Sequence, residues 1–338
     1  MKQNNTLIIA EAGINHNGKI DLALELINAA ADCGADIIKF QTFKAEDLIL
    51  KVTPKTKYQI KNTKSSGSQF KMLKALEMTD LMHEKIVNHC LKKNIEFLSS
   101  AFDINSLEYL VKLGIKRIKI PSGEITNLPY LEKAVSFRLP LIVSTGMSYL
   151  SEIDNTYKLL KSCGIKNDMI TFLHCTSEYP AKLTSINLNA IKTISDYFKV
   201  SVGYSDHTVK NETSIAAVAL GASIIEKHIT LNKFLEGPDH KASANPVEFK
   251  KMVNSIRIVE KILGDTKKKV STTEIENAKL VRKSIVASKF IKKGDIFTNQ
   301  NLTTKRPGIG LSPMNWHEII GKRAHKNYQI DEIINYED

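Results

Sequence analysis

Short apolar runs rich in β-branched residues punctuate the first 230 residues: Leu7–Ala10, Ile37–Phe40, Ile95–Leu98, Arg117–Ile120, Leu141–Val143, Ile170–Leu173, Val200–Gly203 and Ser223–Ile225. Most are separated by stretches with helical spacing. Leu22, Leu26, Ile27 and Ala30 share one helix face that stops before Gly34; Ile86, Val87, Cys90 and Leu91 share a second, and Leu107, Leu110, Val111 and Leu113 a third. A strand that is apolar on both faces must be covered on both faces, and the intervening helices supply that cover, so the order predicts a parallel sheet. Eight such units form the repeat of a (β/α)8 TIM barrel, an α/β fold. The rival, a doubly wound open sheet, is ordinarily smaller, and no G-x-G-x-x-G follows any of these runs.

The polar residues after each run carry the chemistry. The first run leads to Glu11, Gly13, Asn15 and His16; the second contains Lys39 and leads to Gln41; the third ends at Ser99-Ser100-Ala101; the fourth contains Lys119 and leads to Ser122-Gly123-Glu124. The fifth gives Ser144-Thr145-Gly146, the sixth His174 to Pro180, the seventh Ser205-Asp206-His207 and the eighth Glu226-Lys227-His228. In a barrel the C-terminal strand ends converge on one mouth, so these distant residues are expected around one cavity. Between Phe43 and Met82 lies a long polar insertion containing Tyr58-Gln59-Ile60-Lys61-Asn62 and Lys64-Ser65-Ser66-Gly67-Ser68. It follows a strand end and is expected to overhang the mouth as a lid, or to form a peripheral or dimer contact.

The pattern changes after Gly264. Residues 1–264 read as the barrel, 265–281 as a lysine-rich linker, and 282–338 as a small β-rich domain of short strands at Arg282–Ala287, Lys292–Asp295, Thr303–Gly308 and Asn327–Ile334. A unit of that size is marginal alone and is expected to pack on the barrel or on a partner chain.

Composition narrows the function. The chain has 338 residues, 42% hydrophobic and 25% charged, an ordinary globular mixture. The net charge of +12 raises the question of nucleic acid, but the charge is scattered, its densest cluster being Lys267-Lys268-Lys269, and there is no arginine-rich arm or aromatic-interleaved basic stripe. A small anionic substrate is the better expectation, and nucleic acid is not expected as a partner. No apolar run reaches the roughly 18 residues of a membrane span. The N-terminus, Met1 to Ala10, is too short in apolar residues for a signal peptide, and Cys33, Cys90, Cys163 and Cys175 form no C-x-x-C pair. Both read as a cytoplasmic protein with reduced thiols.

His207 and His228 end adjacent strands, and a pair of neutral imidazoles leaves a divalent cation open positions for substrate, with Glu11 in the same ring. His83, His89, His317 and His325 are assigned no chemistry; His16 and His174 read as rim residues. Lys39 and Lys119 interrupt apolar strands. A barrel has no exposed strand edge, so two interior ammonium groups call for an anion, with hydroxyls from Ser122, Ser144 and Ser205 and the close-approach glycines Gly123 and Gly146. A Schiff-base lysine is the competing reading. These residues describe a metal-assisted enzyme on a phosphorylated or carboxylated substrate, with aldol-type addition, isomerisation and hydrolysis all open.

Seven strings occur in order: Ile9 to Gly18 (IAEAGINHNG), Lys39 to Lys44 (KFQTFK), Lys119 to Glu124 (KIPSGE), Ser144 to Met147 (STGM), Tyr204 to His207 (YSDH), Glu226 to His228 (EKH) and Gly237 to Ser243 (GPDHKAS). Together they resemble the sialic acid synthase family, and Thr304-Lys305-Arg306-Pro307-Gly308 resembles its C-terminal antifreeze-like (β-clip) domain. The resemblance implies a homodimer with swapped C-terminal domains that condenses phosphoenolpyruvate with an N-acetylated amino sugar, giving a nonulosonic acid and phosphate. It implies a divalent metal, Mn2+ before Mg2+ or Co2+, on His207 and His228, with Glu11 beside it as the group that positions or deprotonates water. It assigns phosphoenolpyruvate to Lys39, Lys119, Ser122, Ser144 and Ser205, and the sugar to Gln41, Tyr179 and Asp239, with Arg306 reaching the other subunit's site.

Three positions depart from the family's usual residues: Ser100-Ala101 where Thr-Pro is frequent, Thr176-Ser177 where an Asn is usual in the pair, and Ile309 where Asn is common. None removes a charged or metal-binding residue. For the substrate, N-acetylmannosamine, giving N-acetylneuraminate, is expected narrowly ahead of 2,4-diacetamido-2,4,6-trideoxymannose, giving N,N'-diacetyllegionaminate. Another metal-dependent barrel aldolase or lyase, and a non-catalytic binding protein built on the tail, are the remaining alternatives. The resemblance implies a place in carbohydrate biosynthesis, for capsule or lipopolysaccharide.

Overall fold

The computed structural model describes residues 5–335; Met1–Asn4, on which part of the N-terminal reading rests, and positions 336–338 of the tail lie outside the described residues. The chain divides into two compact units, Met1–Gly264 and Asp265–Asp338.

The first unit is a closed eight-stranded parallel barrel: β1 (Leu7–Gly13), β2 (Ile37–Thr42), β3 (Glu96–Ala101), β4 (Ile118–Ile120), β5 (Leu141–Ser144), β6 (Ile170–Cys175), β7 (Ser201–Asp206) and β8 (Ile224–His228), each hydrogen-bonded to its neighbours in sequence, with β8 closing on β1. The eight apolar runs are these strands, but most strands continue into the polar residues that follow. Side chains alternate in and out. Outward residues such as Ile8, Ala10, Ile38, Phe40, Val143 and Phe172 pack under the helices in the main core. Inward residues Ile9, Ile37, Leu98, Ile142, Leu173 and Ile224 form a separate apolar plug low in the barrel. The plug closes the barrel from below, so polar groups one layer up face only the mouth.

The helix faces differ from expectation by a residue or two. Helix Ile20–Asp32 buries Ala23, Leu26, Ile27 and Ala30 rather than Leu22, and helix Asp80–Lys93 buries His83, Ile86 and Cys90 while Leu91 is exposed. His83 replaces an apolar residue there because its ring is satisfied, with Nε2 against Thr42 Oγ1 at 2.9 Å and Nδ1 against the Thr79 carbonyl at 3.1 Å. The insertion after β2 is ordered by a satellite core in which Phe43, Ala45, Leu73 and Leu76 pack with Ile14. Its helix Lys57–Thr63 starts with a capping box between Thr56 and Gln59.

In the second unit, residues 265–281 are more than a linker: they contain a helix, Thr272–Val281, opened by a capping box of Ser271 and Glu274. Beyond it, β9 (Ser284–Ala287) and β10 (Leu302–Lys305) pair antiparallel. Among the described residues, the segments expected as further strands are joined through isolated bridges such as Ile291 with Tyr328 and Val286 with Ile333. Tight turns at this spacing leave no room for longer ladders. Ile285, Phe297, Leu302, Leu311 and Tyr328 form the unit's own core.

Candidate active site

Each strand's side chain one step above the apolar plug is polar. Glu11, Lys39, Ser100 and Lys119 come from β1 to β4, and Ser144, Cys175, Ser205 and Glu226 from β5 to β8; all line one cavity of about 390 Å³. The register explains the ring, because Glu11 sits opposite Lys39 across β1 and β2 just as Ile9 sits opposite Ile37. The next layer out adds Gln41, Ser122, Ser177, Tyr179, His207 and His228, and the insertion contributes Thr56, Tyr58 and Gln69. The insertion therefore roofs the mouth, and Asn62 Nδ2 ties it down by donating to the Pro238 carbonyl at 2.6 Å.

The two lysines are not bare cations awaiting an anion. Lys39 Nζ lies 2.6 Å from Glu11 Oε2 and 3.6 Å from Glu226 Oε2, and donates to Ser100 Oγ at 3.1 Å. Lys119 Nζ donates to Ser144 Oγ at 2.7 Å and lies 3.6 Å from Glu226 Oε1, which accepts from Ser205 Oγ at 3.0 Å. Two carboxylates thus balance two ammonium groups. The lysines are buried as expected, but the charge the sequence reading left free is already matched inside the ring. Burial disfavours the Lys39 ammonium, yet Glu11 and Glu226 more than offset this and raise its pKa. Burial prevails at Lys119 and lowers its pKa despite Glu226. The carboxylates separate in the opposite sense. Glu226, between both ammoniums, is held below the ordinary range although burial opposes it, whereas burial and the Glu226 charge raise Glu11 even with Lys39 beside it. Burial and charge thus favour the ionised form at Glu226 and the neutral form at Glu11.

His207 and His228 stand side by side, ring centroids 5.6 Å apart, with the Tyr179 ring 4.2 Å from His207 and 5.7 Å from His228. Tyr58 from the insertion packs on Tyr179 at 5.2 Å. His207 Nδ1 donates to the Thr176 carbonyl at 2.7 Å, which puts the lone pair on Nε2, 3.4 Å from Ser205 Oγ; His228 Nδ1 is buried with no hydrogen-bond partner among the described residues. Burial lowers both pKa values, that of His228 further because His207 adjoins it. Neutral imidazoles, with the tautomer of His207 set by the Thr176 carbonyl and the His228 Nδ1 unpartnered, have the donor chemistry that a divalent cation needs, so the residues present fit such an ion. Among the described residues no group of three or more His, Cys, Asp or Glu is placed to hold a metal. The remaining ligands would then be water or substrate.

Gly13 follows a bulge in β1 at φ +52°, where a Cβ would come within 3.3 Å of both Gln41 Nε2 and Glu11 Oε1. At Gly146 a Cβ would meet Ser177 Oγ at 2.3 Å and Cys175 Sγ at 2.9 Å, so the backbone can approach this wall only as glycine. Its N–H donates to Ser122 Oγ at 3.0 Å. Asp239 is buried beside the cavity, and burial together with Glu11 pushes its carboxyl up to about 7.

Ten of the sequence-derived residues, Glu11, Lys39, Gln41, Lys119, Ser122, Ser144, Tyr179, Ser205, His207 and His228, line the cavity, and Asp239 adjoins it. Arg306 follows β10 in the second unit. His16 and His174 are not rim residues of this cavity. His16 is fully buried and accepts from Gly18 N at 3.0 Å, and His174 Nε2 donates to the Ile186 carbonyl at 2.7 Å. Ser100, Cys175 and Glu226 are expected near the mouth from the sequence alone but carry no assigned role in the ring. Counting two residues on from Leu98, Leu173 and Ile224 would have placed them in it.

Comparison with known proteins identifies the family. Residues 26–268 match the model of the NeuB family, and residues 282–338 match that of the SAF domain. The chain belongs to the NeuB family. This is the sialic acid synthase family, carrying its C-terminal antifreeze-like domain. The chain is 52% identical to N,N'-diacetyllegionaminic acid synthase of Campylobacter jejuni, over 97% of this chain and 98% of that protein. It is 46% identical to the enzyme of the same name from Legionella pneumophila, over 95% and 90%. Among solved structures, the N-acetylneuraminic acid synthetase of Leptospira borgpetersenii, in complex with citrate, superposes with a TM-score of 0.72 at 35% identity, over 81% of this chain and 90% of that one.

Proposed function

We propose that the chain is a phosphoenolpyruvate-dependent synthase that makes N,N'-diacetyllegionaminate from 2,4-diacetamido-2,4,6-trideoxymannose. The observation that carries the reading is the 52% identity with a synthase of that name, spread over 97% of the chain. It reverses the narrow expectation for N-acetylneuraminate, because the solved neuraminic acid synthetase is less similar, at 35%. The motifs at the strand ends belong to both branches, which is why they did not separate them.

In this reading Lys39, Lys119, Ser122, Ser144 and Ser205 hold the phosphate and carboxylate of phosphoenolpyruvate. Gln41, Tyr179 and Asp239 orient the open-chain sugar. His207 and His228 would hold a divalent ion, Mn2+ foremost, and that ion would supply Lewis-acid polarisation of the sugar aldehyde. Carbon 3 of the enol bonds to the aldehyde carbon, whose oxygen takes up a proton. Carbon 2, left cationic, bonds to a water oxygen while Glu11 accepts the water's proton. The bond between carbon 2 and the phosphate-ester oxygen then breaks, the new hydroxyl on carbon 2 gives its proton to the departing phosphate as the ketone forms, and phosphate leaves. Glu226 stays ionised throughout and keeps both ammoniums aimed at the departing charge. Arg306 of a second copy would complete the sugar site in a swapped homodimer.

The test is a substrate panel with phosphoenolpyruvate and Mn2+, following phosphate release and identifying the product by mass spectrometry. We expect kcat/KM for the 2,4-diacetamido sugar to exceed that for N-acetylmannosamine by at least about tenfold, a floor well under the roughly 10⁴-fold by which a site built to hydrogen-bond a substrate group can reject an analogue lacking it. A preference for N-acetylmannosamine returns the chain to the neuraminate branch. Absence of product with either sugar removes the synthase reading.

A further inference from the structure

Strand alternation puts Ser205 and His207, and likewise Glu226 and His228, toward the cavity, and so turns Asp206 and Lys227 to the outside of the barrel wall. The two are register partners across β7 and β8, and both are almost wholly buried. Lys227 Nζ lies 2.8 Å from Asp206 Oδ2 and donates to the carbonyls of Thr208 at 2.8 Å and Lys210 at 3.2 Å. Asp206 accepts from Thr208 N at 2.8 Å, Thr213 Oγ1 at 2.7 Å and Ser214 Oγ at 2.6 Å. One ammonium on β8, a residue before His228, thus ties down the segment immediately after His207 and the start of the helix Glu212–Ala219.

We propose that Asp206 and Lys227 are positioning residues that set the separation of the His207 and His228 rings from behind the barrel wall. The inference rests on the reading of those imidazoles as metal ligands. A buried ion pair is weak grounds for stability, since well-packed apolar residues can replace one at no loss, so a role in fixing geometry explains its presence better than a role in holding the fold. Every hydrogen of the ammonium has a partner, and the carbonyls of Thr208 and Lys210 leave it no freedom to follow a displaced strand. Groups that orient a metal's ligands ordinarily contribute ten- to a hundredfold in affinity.

The test measures Mn2+ affinity of the full chain by electron paramagnetic resonance of free Mn2+, without substrate, beside thermal unfolding and steady-state kinetics. The single variant Lys227→Met leaves Asp206 buried and unpaired, which can prevent folding. The double variant Asp206→Asn with Lys227→Met removes both charges at similar volume and carries the test in that case. We expect the double variant to unfold cooperatively, to bind Mn2+ ten- to a hundredfold more weakly, and to recover kcat to within about threefold of wild type when Mn2+ is raised. A folded double variant with Mn2+ affinity within twofold of wild type overturns the positioning role. If the wild-type protein binds Mn2+ no better than His207→Ala does, the metal reading itself falls and this inference with it.

Discussion

Glu226 decides how the cavity treats an anion. With Glu11 it cancels the charge of Lys39 and Lys119, so a polyanionic substrate meets a preset arrangement of donors rather than a bare positive well. The exchange of Glu226 for Gln raises the charge of the cavity by one while freeing Ser205 and both ammoniums from their shared acceptor. Attraction and orientation therefore move in opposite directions. For Glu226→Gln we expect KM for phosphoenolpyruvate to stay within about threefold of wild type and kcat to fall on the order of a hundredfold, since loss of fixed placement acts on the transition state. Steady-state kinetics on a variant with an unchanged circular dichroism spectrum checks this; an unaltered kcat would show that the shared counter-charge has no part in turnover.

Asp239 gives the residue scale a pH dependence. Its carboxyl is raised to about 7 in the fold, chiefly by burial, against an ordinary value of 3.8. Between those values the unfolded chain has released a proton that the folded chain retains, so this group lowers stability as pH rises through the window and leaves it level below 3.8 and above about 7. Asp239→Asn removes the slope. A tenfold change in proton affinity between the folded and unfolded chain is worth about 1.4 kcal/mol, so the variant should match wild type near pH 4 and exceed it by up to a few kcal/mol near pH 7. Thermal unfolding across that range reads the difference directly, and parallel curves for the two proteins would contradict it.

At the scale of elements, the strands were legible because a parallel barrel strand is covered on both faces and must be apolar along its lower half. The same rule hid part of the site. Where an apolar run stopped, the sequence reading placed a strand end, yet β2, β3, β6 and β7 run on to Thr42, Ala101, Cys175 and Asp206. Ring members such as Ser100 and Glu226 therefore lie within strands and take their direction from strand parity. Lys39 and Lys119 stood out because each interrupts an apolar run; Ser100 and Cys175 did not, because Ser and Cys are unremarkable in either setting. The pairing of Glu226 with the lysines depends on neighbours up to 187 positions away in sequence and could be seen only after the barrel had closed. The insertion's placement was foreseeable from its origin at a strand end, but the packing of Tyr58 on Tyr179 was not, because it rests on the small core around Ile14 and Leu73.

The whole molecule raises a question that neither unit answers alone. The barrel unit supplies the ten sequence-derived cavity residues and the rest of the lining, whereas Arg306 belongs to a unit with a separate core around β9 and β10. In the proposed swapped homodimer, each site combines one copy's barrel with the other copy's Arg306. Mixed dimers can distinguish that arrangement from one in which Arg306 serves its own barrel. Arg306→Ala retains an intact barrel and lacks the guanidinium; His207→Ala retains the guanidinium and lacks an imidazole. Each homodimer should be nearly inactive. A heterodimer of the two would contain one site with both defects and one with neither if Arg306 is exchanged between copies. Random pairing of equal amounts makes half the dimers mixed, so co-expression should restore about a quarter of wild-type sites. If Arg306 acts within its own chain, every site in every dimer carries one defect and the mixture stays as inactive as its components. Turnover of co-expressed, doubly tagged dimers, normalised to the amount of heterodimer recovered, measures which arrangement holds.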